Sequence, residues 1–187
     1  MHDPATLHRR AAAAFGERVH GIREDQWGLP TPCEGWDVRA LVAHLVDEQL
    51  WTAPLLEGRT IEEVAPGIPS DPLGDDPVGA WDRAVRDARE GVDHTDPGAI
   101  AHLSFGDVPA EEYVMQLFAD LVVHAWDLAR ATGQDERLDP ELVEDLATWF
   151  DGNEDAYRGA GVIGERVEVA PGADAQTKLL ARFGRRT

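Results

Sequence analysis

Apolar residues recur at spacings of three and four along five segments of the chain, and this period predicts amphipathic α-helices. The predicted helices run from about 4 to 25, from 37 to 56, from 77 to 90, from 109 to 132 and from 140 to 157. Proline and glycine are frequent in the segments between them, and both residues interrupt helices. Four to five such helices with short connections predict an all-α bundle, formed by a single domain over residues 1–187.

Residues at the helix ends support these boundaries. Asp37 is a good N-cap for the second helix, and Gly58 comes just past its end. Pro109 suits the first turn of the fourth helix, and Gly133 can cap its last turn. The weaker segments are predicted to be loops at 65–77 and 91–108, a brief extended piece at 167–169 and a final helical turn at 177–183.

The fourth helix is apolar around most of its circumference and keeps one narrow polar stripe. This stripe consists of Tyr113, Gln116, Asp120, His124 and Asp127. It can be the solvent-facing edge of a packed helix, which requires no function, and the helix taken alone favours that interpretation. It can instead face the bundle interior, where a carboxylate and an imidazole are costly unless they are paired or bind a metal.

Asp120 and His124 are four residues apart, so their side chains share one helical face and can bind one cation together. A catalytic zinc site commonly has three protein ligands and one open position. His44 in the second helix is the leading candidate for the third ligand, although a lone histidine there is more often a packed core residue. Asp127 can orient a ligating imidazole, or it can pair with Arg130.

Other polar residues are weaker candidates for the site. Tyr113 and His102 are the remaining groups that can line a pocket, with Trp36 and Trp126 as its walls. Cys33 is a poor candidate nucleophile, because no basic residue lies close to it in sequence and nothing there would favour its thiolate.

Composition excludes several classes of function. The formal net charge is −19, from 36 acidic and 17 basic residues, and this field repels nucleic-acid phosphates. Cys33 is the only cysteine, so no internal disulfide can form, which suits a reducing interior. The first residues lack the apolar core of a signal peptide, and no stretch approaches the roughly 20 apolar residues of a membrane span. We expect a cytoplasmic protein that binds neither nucleic acid nor membrane.

Two long segments, 31–44 and 120–130, resemble the actinobacterial metal-binding branch of the DinB/YfiT-like superfamily. This branch is related to the N-terminal domain of mycothiol-dependent maleylpyruvate isomerase. Segments 102–113 and 175–180 resemble it as well, so the similarity extends over nearly the whole chain.

The resemblance implies a four-helix bundle with up-down-down-up topology, followed here by one additional C-terminal helix and a short tail. It also implies a three-ligand metal site at one end of the bundle, and the family's ligands fall on His44, Asp120 and His124. Zinc is the expected metal, with nickel or iron as alternatives, and mycothiol is the implied thiol cofactor. Relatives further suggest a homodimer.

Two departures limit what the resemblance implies. The isomerase has a glutamate where this chain has Asp120, and it carries a second domain, whereas this sequence continues only briefly after the bundle. Maleylpyruvate isomerisation itself is therefore not the expected activity. We expect a metal-dependent mycothiol transferase, or a related enzyme, that acts on a small electrophilic substrate. The alternatives are a metal-dependent hydrolase and a non-catalytic bundle that binds a metal or a small molecule.

Overall fold

The computed structural model describes residues 2–96 and 98–187. Within them the chain forms eight α-helices and one β-hairpin. In chain order these are α1 (Pro4–His20), α2 (Val38–Leu56), α3 (Ile61–Val64), α4 (Pro77–Asp93), β1 (Ile100–Leu103), β2 (Gly106–Pro109), α5 (Ala110–Thr132), α6 (Pro140–Phe150), α7 (Glu154–Gly159) and α8 (Ala175–Arg182). The prediction of a mostly helical fold is confirmed.

The four long helices pack around one another. Helix α1 contacts α5 and α4, and α2 contacts the same two helices from the other side. Their facing sides bury a shared apolar core, which includes Phe15, Leu41, Phe118 and Leu121, each fully buried. Since α5 contacts both α1 and α2, nearly all of its surface is covered, and polar residues on it must find partners inside the protein.

The predicted signals at the ends of α2 and α5 are present in the structure. The Asp37 carboxylate accepts a hydrogen bond from the Ala40 amide at 2.8 Å, which satisfies one free N–H of the first turn. Gly133 has a φ of 68° and ends α5 with its amide bonded to the Ala129 carbonyl. This left-handed conformation strains any residue with a Cβ, so glycine stops the helix at the correct place.

Three predicted boundaries were wrong. The first helix ends at His20, and a separate 3-10 turn covers Glu24–Gln26. The predicted fifth helix is divided into α6 and α7. Helix α4 continues to Asp93, through Gly91. A Cβ on Gly91 would lie 2.7 Å from the Cα of Ala53, so this glycine allows α2 and α4 to approach closely instead of ending α4.

The extended segments also differ from the prediction. Strands β1 and β2 form an antiparallel hairpin within the predicted loop 91–108, and His102 pairs with Asp107 in its register. They are four residues each, too short to show the alternating pattern of a longer strand. Segment 167–169 is not a strand; Val167 only donates its amide to the Ala181 carbonyl. No helix in the part of the chain that the structure describes is long and apolar enough to cross a membrane.

Candidate metal centre

Helices α2 and α5 bring three distant side chains together. The Nε2 of His44 lies 2.8 Å from Oδ2 of Asp120, and the Nε2 of His124 lies 3.2 Å from Oδ1 of the same carboxylate. One donor atom from each residue lies within 4.8 Å of the other two. The juxtaposition predicted from sequence, two imidazoles and one short acid from two helices, is therefore present.

The second nitrogen of His124 is also held. Its Nδ1 donates to Oδ2 of Asp127 at 2.9 Å, one turn further along α5. The Asp127 side chain is fully buried, and His124 is only 7% exposed, so the polar stripe is not a solvent-facing edge at these positions. Asp127 does not pair with Arg130, which bonds Glu136 instead. Of the two contacts predicted for Asp127, the structure has the one with the imidazole.

Asp127 has a second partner in the segment after α8. The Nη2 of Arg185 lies 2.8 Å from Oδ2 of Asp127, and its Nε lies 3.2 Å from Oδ1. Two parallel contacts of this kind are the geometry in which a guanidinium binds a carboxylate most strongly. Sequence reasoning did not identify Arg185, because 58 residues separate it from Asp127 and no local pattern connects them.

Cys33 reaches the same place from the loop before α2. Its Sγ lies 3.7 Å from Nδ1 of His124 and 3.3 Å from both Asp127 Oδ2 and Arg185 Nη2. No basic residue lies close to Cys33 in sequence, and the fold supplies one from 152 residues away. Cys33, His124 and Asp127 form a second set of donor atoms that could hold a metal ion.

An indole forms one wall of the centre. The ring of Trp36 lies 4.9 Å from the ring of His44 and 5.9 Å from that of His124, measured between centroids. The two imidazoles are 5.4 Å apart, edge to face. Trp126, the other predicted wall, is 1% exposed in the core with Arg130 over its ring, and it does not line the site.

The three central groups stabilise one another's charged forms. Burial alone would raise the pKa of Asp120, but the two adjacent imidazoles outweigh it and bring the pKa far below its usual value. Burial would likewise lower the pKa of both histidines, but the Asp120 carboxylate outweighs burial and raises them, most strongly for His124. Without a metal, the contacts of the centre therefore favour protonated imidazoles beside an ionised carboxylate.

Glu48 adds a fourth ionisable group that the sequence analysis missed. It lies one turn after His44 on α2, and this spacing of four was the available signal. Burial and then the nearby negative charge of Asp120 raise its pKa to about 7, while His44 opposes the shift. A carboxyl group with that pKa can take up or release a proton at neutral pH.

The other two predicted pocket residues are arranged differently. Tyr113 is buried, hydrogen-bonded to Thr52, and its pKa is raised by burial and by the charge of Glu48. Tyr113 is thus close enough to Glu48 for the charge of that carboxylate to affect its pKa. His102 is on the hairpin, where its Nδ1 lies 2.7 Å from the Asp107 carboxylate and its side chain is 37% exposed. The structure does not bring His102 into the group of His44, Asp120 and His124.

The donor set suits a divalent metal. Two imidazole nitrogens and a carboxylate oxygen are ligands that zinc, nickel and iron accept. Ligand atoms about 2.0–2.1 Å from a tetrahedral zinc lie roughly 3.3 Å apart. The two observed nitrogen-to-oxygen distances, 2.8 Å to Oδ2 of Asp120 and 3.2 Å to its Oδ1, are close to this spacing. The Cys33 set fits a cation less well, because the Arg185 guanidinium already lies against its sulfur and carboxylate.

Comparison with known proteins identifies the family. The family model described as the mycothiol maleylpyruvate isomerase N-terminal domain matches residues 8–129. Two uncharacterized proteins, from two strains of Mycobacterium tuberculosis, are each 38% identical to the chain over 153 residues, which is 78% of this chain and 76% of theirs.

Crystal structures of the mycothiol-dependent maleylpyruvate isomerase and of a histidine-to-alanine mutant of it share the fold. Their TM-scores are 0.55 and 0.56, at 20% and 19% identity. The match covers 67% of this chain and 59% of theirs, so this chain spans less than two thirds of the length of those structures. The family assignment rests on the sequence match: the chain belongs to the mycothiol maleylpyruvate isomerase N-terminal domain family.

Proposed function

We propose that this protein binds one divalent cation, zinc in the first instance, through His44, Asp120 and His124, and that it activates a small-molecule thiol for transfer to a small electrophile. The observation that carries the proposal is the convergence of these three donors from α2 and α5 within 4.8 Å. Mycothiol is the thiol we propose, since the related isomerase of known structure depends on it.

The protein's own residues prepare the site for a cation. The bond from His124 Nδ1 to Asp127 leaves the Nε2 lone pair directed toward Asp120 and His44. Asp120 contributes the negative charge that two neutral imidazoles lack. When bound, a zinc ion supplies the positive charge that favours a thiolate over a thiol at neutral pH.

Proton transfer is the step for which Glu48 is suited. A thiol must lose its proton to become a nucleophile, and an acceptor near the site has to take it. A Glu48 carboxylate oxygen can accept that proton, because the pKa of Glu48 is raised to about 7 by its burial and by Asp120. Trp36 packs on both imidazoles at one side of the same region.

Metal content of the purified protein tests the first half of the proposal. Elemental analysis should find about one zinc per chain in the natural protein and little in His44→Ala and His124→Ala. His102→Ala is the matched control, because its imidazole also pairs with an aspartate but lies on the hairpin. Equal metal content in all four proteins would overturn the site.

Titration with mycothiol tests the second half. Adding the thiol to zinc-loaded protein in weak buffer should release protons near neutral pH, and a Glu48→Gln variant should change how many are released. A zinc-loaded Glu48→Gln variant, which cannot keep the proton on residue 48, that binds mycothiol without releasing protons would overturn thiolate formation and leave a non-catalytic binding module. Homodimerisation stays a separate prediction, which sedimentation of the purified chain would test.

A further inference from the structure

Arg185 is built into the centre from outside the helices that carry the donors. Its side chain is 17% exposed, and its guanidinium meets both oxygens of the fully buried Asp127 carboxylate. The turn after α8 directs the Arg185 side chain toward Asp127. In this turn the Arg185 amide donates to the Leu180 carbonyl, and the Arg185 Nη1 donates to the Phe183 carbonyl. Gly184 permits this turn with a φ of 82°.

The ion pair with Arg185 keeps Asp127 in the charged form that accepts a hydrogen bond from His124 Nδ1. A buried carboxylate without a counter-charge is costly, and the cost is relieved by movement or by protonation. A protonated Asp127 would be a poorer acceptor for His124 Nδ1. Oδ2 of Asp127 receives Arg185 Nη2 at 2.8 Å and His124 Nδ1 at 2.9 Å, so one oxygen connects the guanidinium to the imidazole.

We propose that Arg185 is a positioning residue of the metal centre: by fixing Asp127, it holds His124 with Nε2 directed toward His44 and Asp120. This inference rests on the proposed metal-binding function. Arg185 does not touch the three donors of that site; it acts through Asp127, whose Oδ2 lies between its guanidinium and the imidazole. The segment after α8 thereby becomes part of the centre, although it lies outside the matched family region at residues 8–129.

Loss of Arg185 would lower the stability of the protein whether its role is structural or positioning. Zinc affinity is therefore the quantity that distinguishes the two roles. Arg182 supplies a matched control: it is 14% exposed, is the last residue of α8 and pairs with Glu154 at 2.7 Å. Loss of a residue that orients a metal ligand typically weakens metal binding by about 10- to 100-fold. Arg185→Met should show a loss of that size in chelator competition, whereas Arg182→Met should keep the natural affinity. Arg185→Lys should recover part of the loss.

A double-mutant comparison tests the route through Asp127. If Arg185 acts through that carboxylate, Arg185→Met should weaken zinc binding no further once Asp127→Asn is present. Independent, additive losses would overturn the proposal. Equal zinc affinity of Arg185→Met and the natural protein would also overturn it, while leaving the proposed metal site intact.

A measurement without metal separates this inference from the proposed function. In the metal-free protein, the buried His124 Nδ1 proton should give a slowly exchanging low-field NMR resonance. Its loss in Arg185→Met and retention in Arg182→Met would support positioning, and its retention in both would overturn it. Absence of zinc from the natural protein would instead overturn the proposed function, and the resonance would still report on Arg185.

Discussion

Asp120 contacts both imidazoles of the centre. The same three side chains therefore favour protons on the imidazole nitrogens when no metal is present, and would bind the cation through those nitrogens when it is. Without metal, the Asp120 carboxylate raises the pKa of both histidines and so favours their protonated forms. With metal, each ligating nitrogen must give up its proton. Protons and the cation therefore compete for the same nitrogen atoms.

The competition predicts opposite pH dependences of stability. The folded-state pKa values of His44 and His124 are raised, so their contribution is fully present below pH 6.5 and is lost as pH rises through those values. Metal-free protein should therefore lose thermal stability as pH rises above about 6.5. Zinc should add more stability over the same range as proton competition weakens. Melting temperatures with chelator and with zinc should diverge; parallel curves would contradict the prediction.

The length and charge of the residue at position 120 can be tested separately. Asp120→Asn keeps the size but removes the charge, and it should weaken zinc binding by at least about tenfold, comparable with other losses around metal sites. Asp120→Glu keeps the charge, and we expect it to retain about one zinc per chain because its carboxylate oxygen is still a ligand that zinc accepts. A chelator titration would measure both affinities. If Glu weakens binding as much as Asn does, the length of the side chain matters as much as its charge.

The three donors were predictable from sequence, and their surroundings were not. Asp120 and His124 share a face because they are four residues apart, and the family resemblance pointed to His44. Arg185 and Cys33 come from loops, whose course is set by tertiary packing and not by a repeating pattern. The single-helix argument also favoured solvent exposure of the stripe, since one helix does not reveal how many neighbours cover it.

Helices α1 and α2 share one buried polar pair away from the centre. The Nε2 of His8 lies 3.0 Å from the Gln49 amide oxygen, and both side chains are at most 1% exposed. Burial lowers the pKa of His8 to about 4, outweighing the hydrogen bond that His8 donates to Gln49; Arg89 and Arg9 lower it further, while Asp93 opposes them. The burial of the pair, and not its hydrogen bond, therefore favours the neutral imidazole.

This pair predicts an acid-sensitive contact between the two helices. The folded pKa of His8 is below the unfolded one, so its unfolded form takes up the proton first as pH falls from 6.5 to about 4. The resulting loss should be on the order of 3 kcal/mol at the acid end of this window. Denaturant unfolding should show a flatter pH profile for a His8→Leu, Gln49→Leu double variant. His20→Gln, at an exposed histidine of the same helix, should leave the profile unchanged.

The end of α5 depends on one glycine. Gly133 has a φ of 68°, where a Cβ costs roughly 1–2 kcal/mol. Gly133→Ala should lower the free energy of unfolding by about that amount, while Gly28→Ala, whose added methyl meets open space, should change it little. Unfolding in urea would measure both. Equal effects of the two substitutions would show that α5 tolerates another way of ending.

Elements with strong local signals were foreseen, and those fixed by packing were not. The Asp37 cap and the Gly133 stop act within one helical turn, so they can be read from neighbouring residues. Gly91 carries the same local signal as a stop, but it serves the close contact with Ala53 in α2. The hairpin was missed for the same reason: its two strands are stabilised by each other and by contacts with α2 and α5.

The excess of acidic residues acts on the whole molecule. A net charge of −19 on 187 residues repels itself in the folded state, and unfolding relieves part of that repulsion. Local ion pairs act in the opposite direction, but most are exposed, and exposed pairs contribute about 0–1 kcal/mol each. Salt screens both effects, with a screening length near 30 Å at 0.01 M and about 8 Å at 0.15 M. Long-range repulsion loses more, because it acts over the larger distances.

We therefore expect added sodium chloride to stabilise the protein. Between about 0.01 and 0.2 M, the melting temperature should rise by roughly 2–4 °C, which corresponds to about 1 kcal/mol for a chain of this size. A variant with the exposed residues Glu24, Glu62 and Glu168 changed to glutamine should melt higher than the natural protein at low salt. The difference between the two should shrink as salt is added, since screening removes the repulsion that the substitutions relieve. A melting temperature that falls with salt would show that the local pairs, and not the net charge, dominate the electrostatics of this fold.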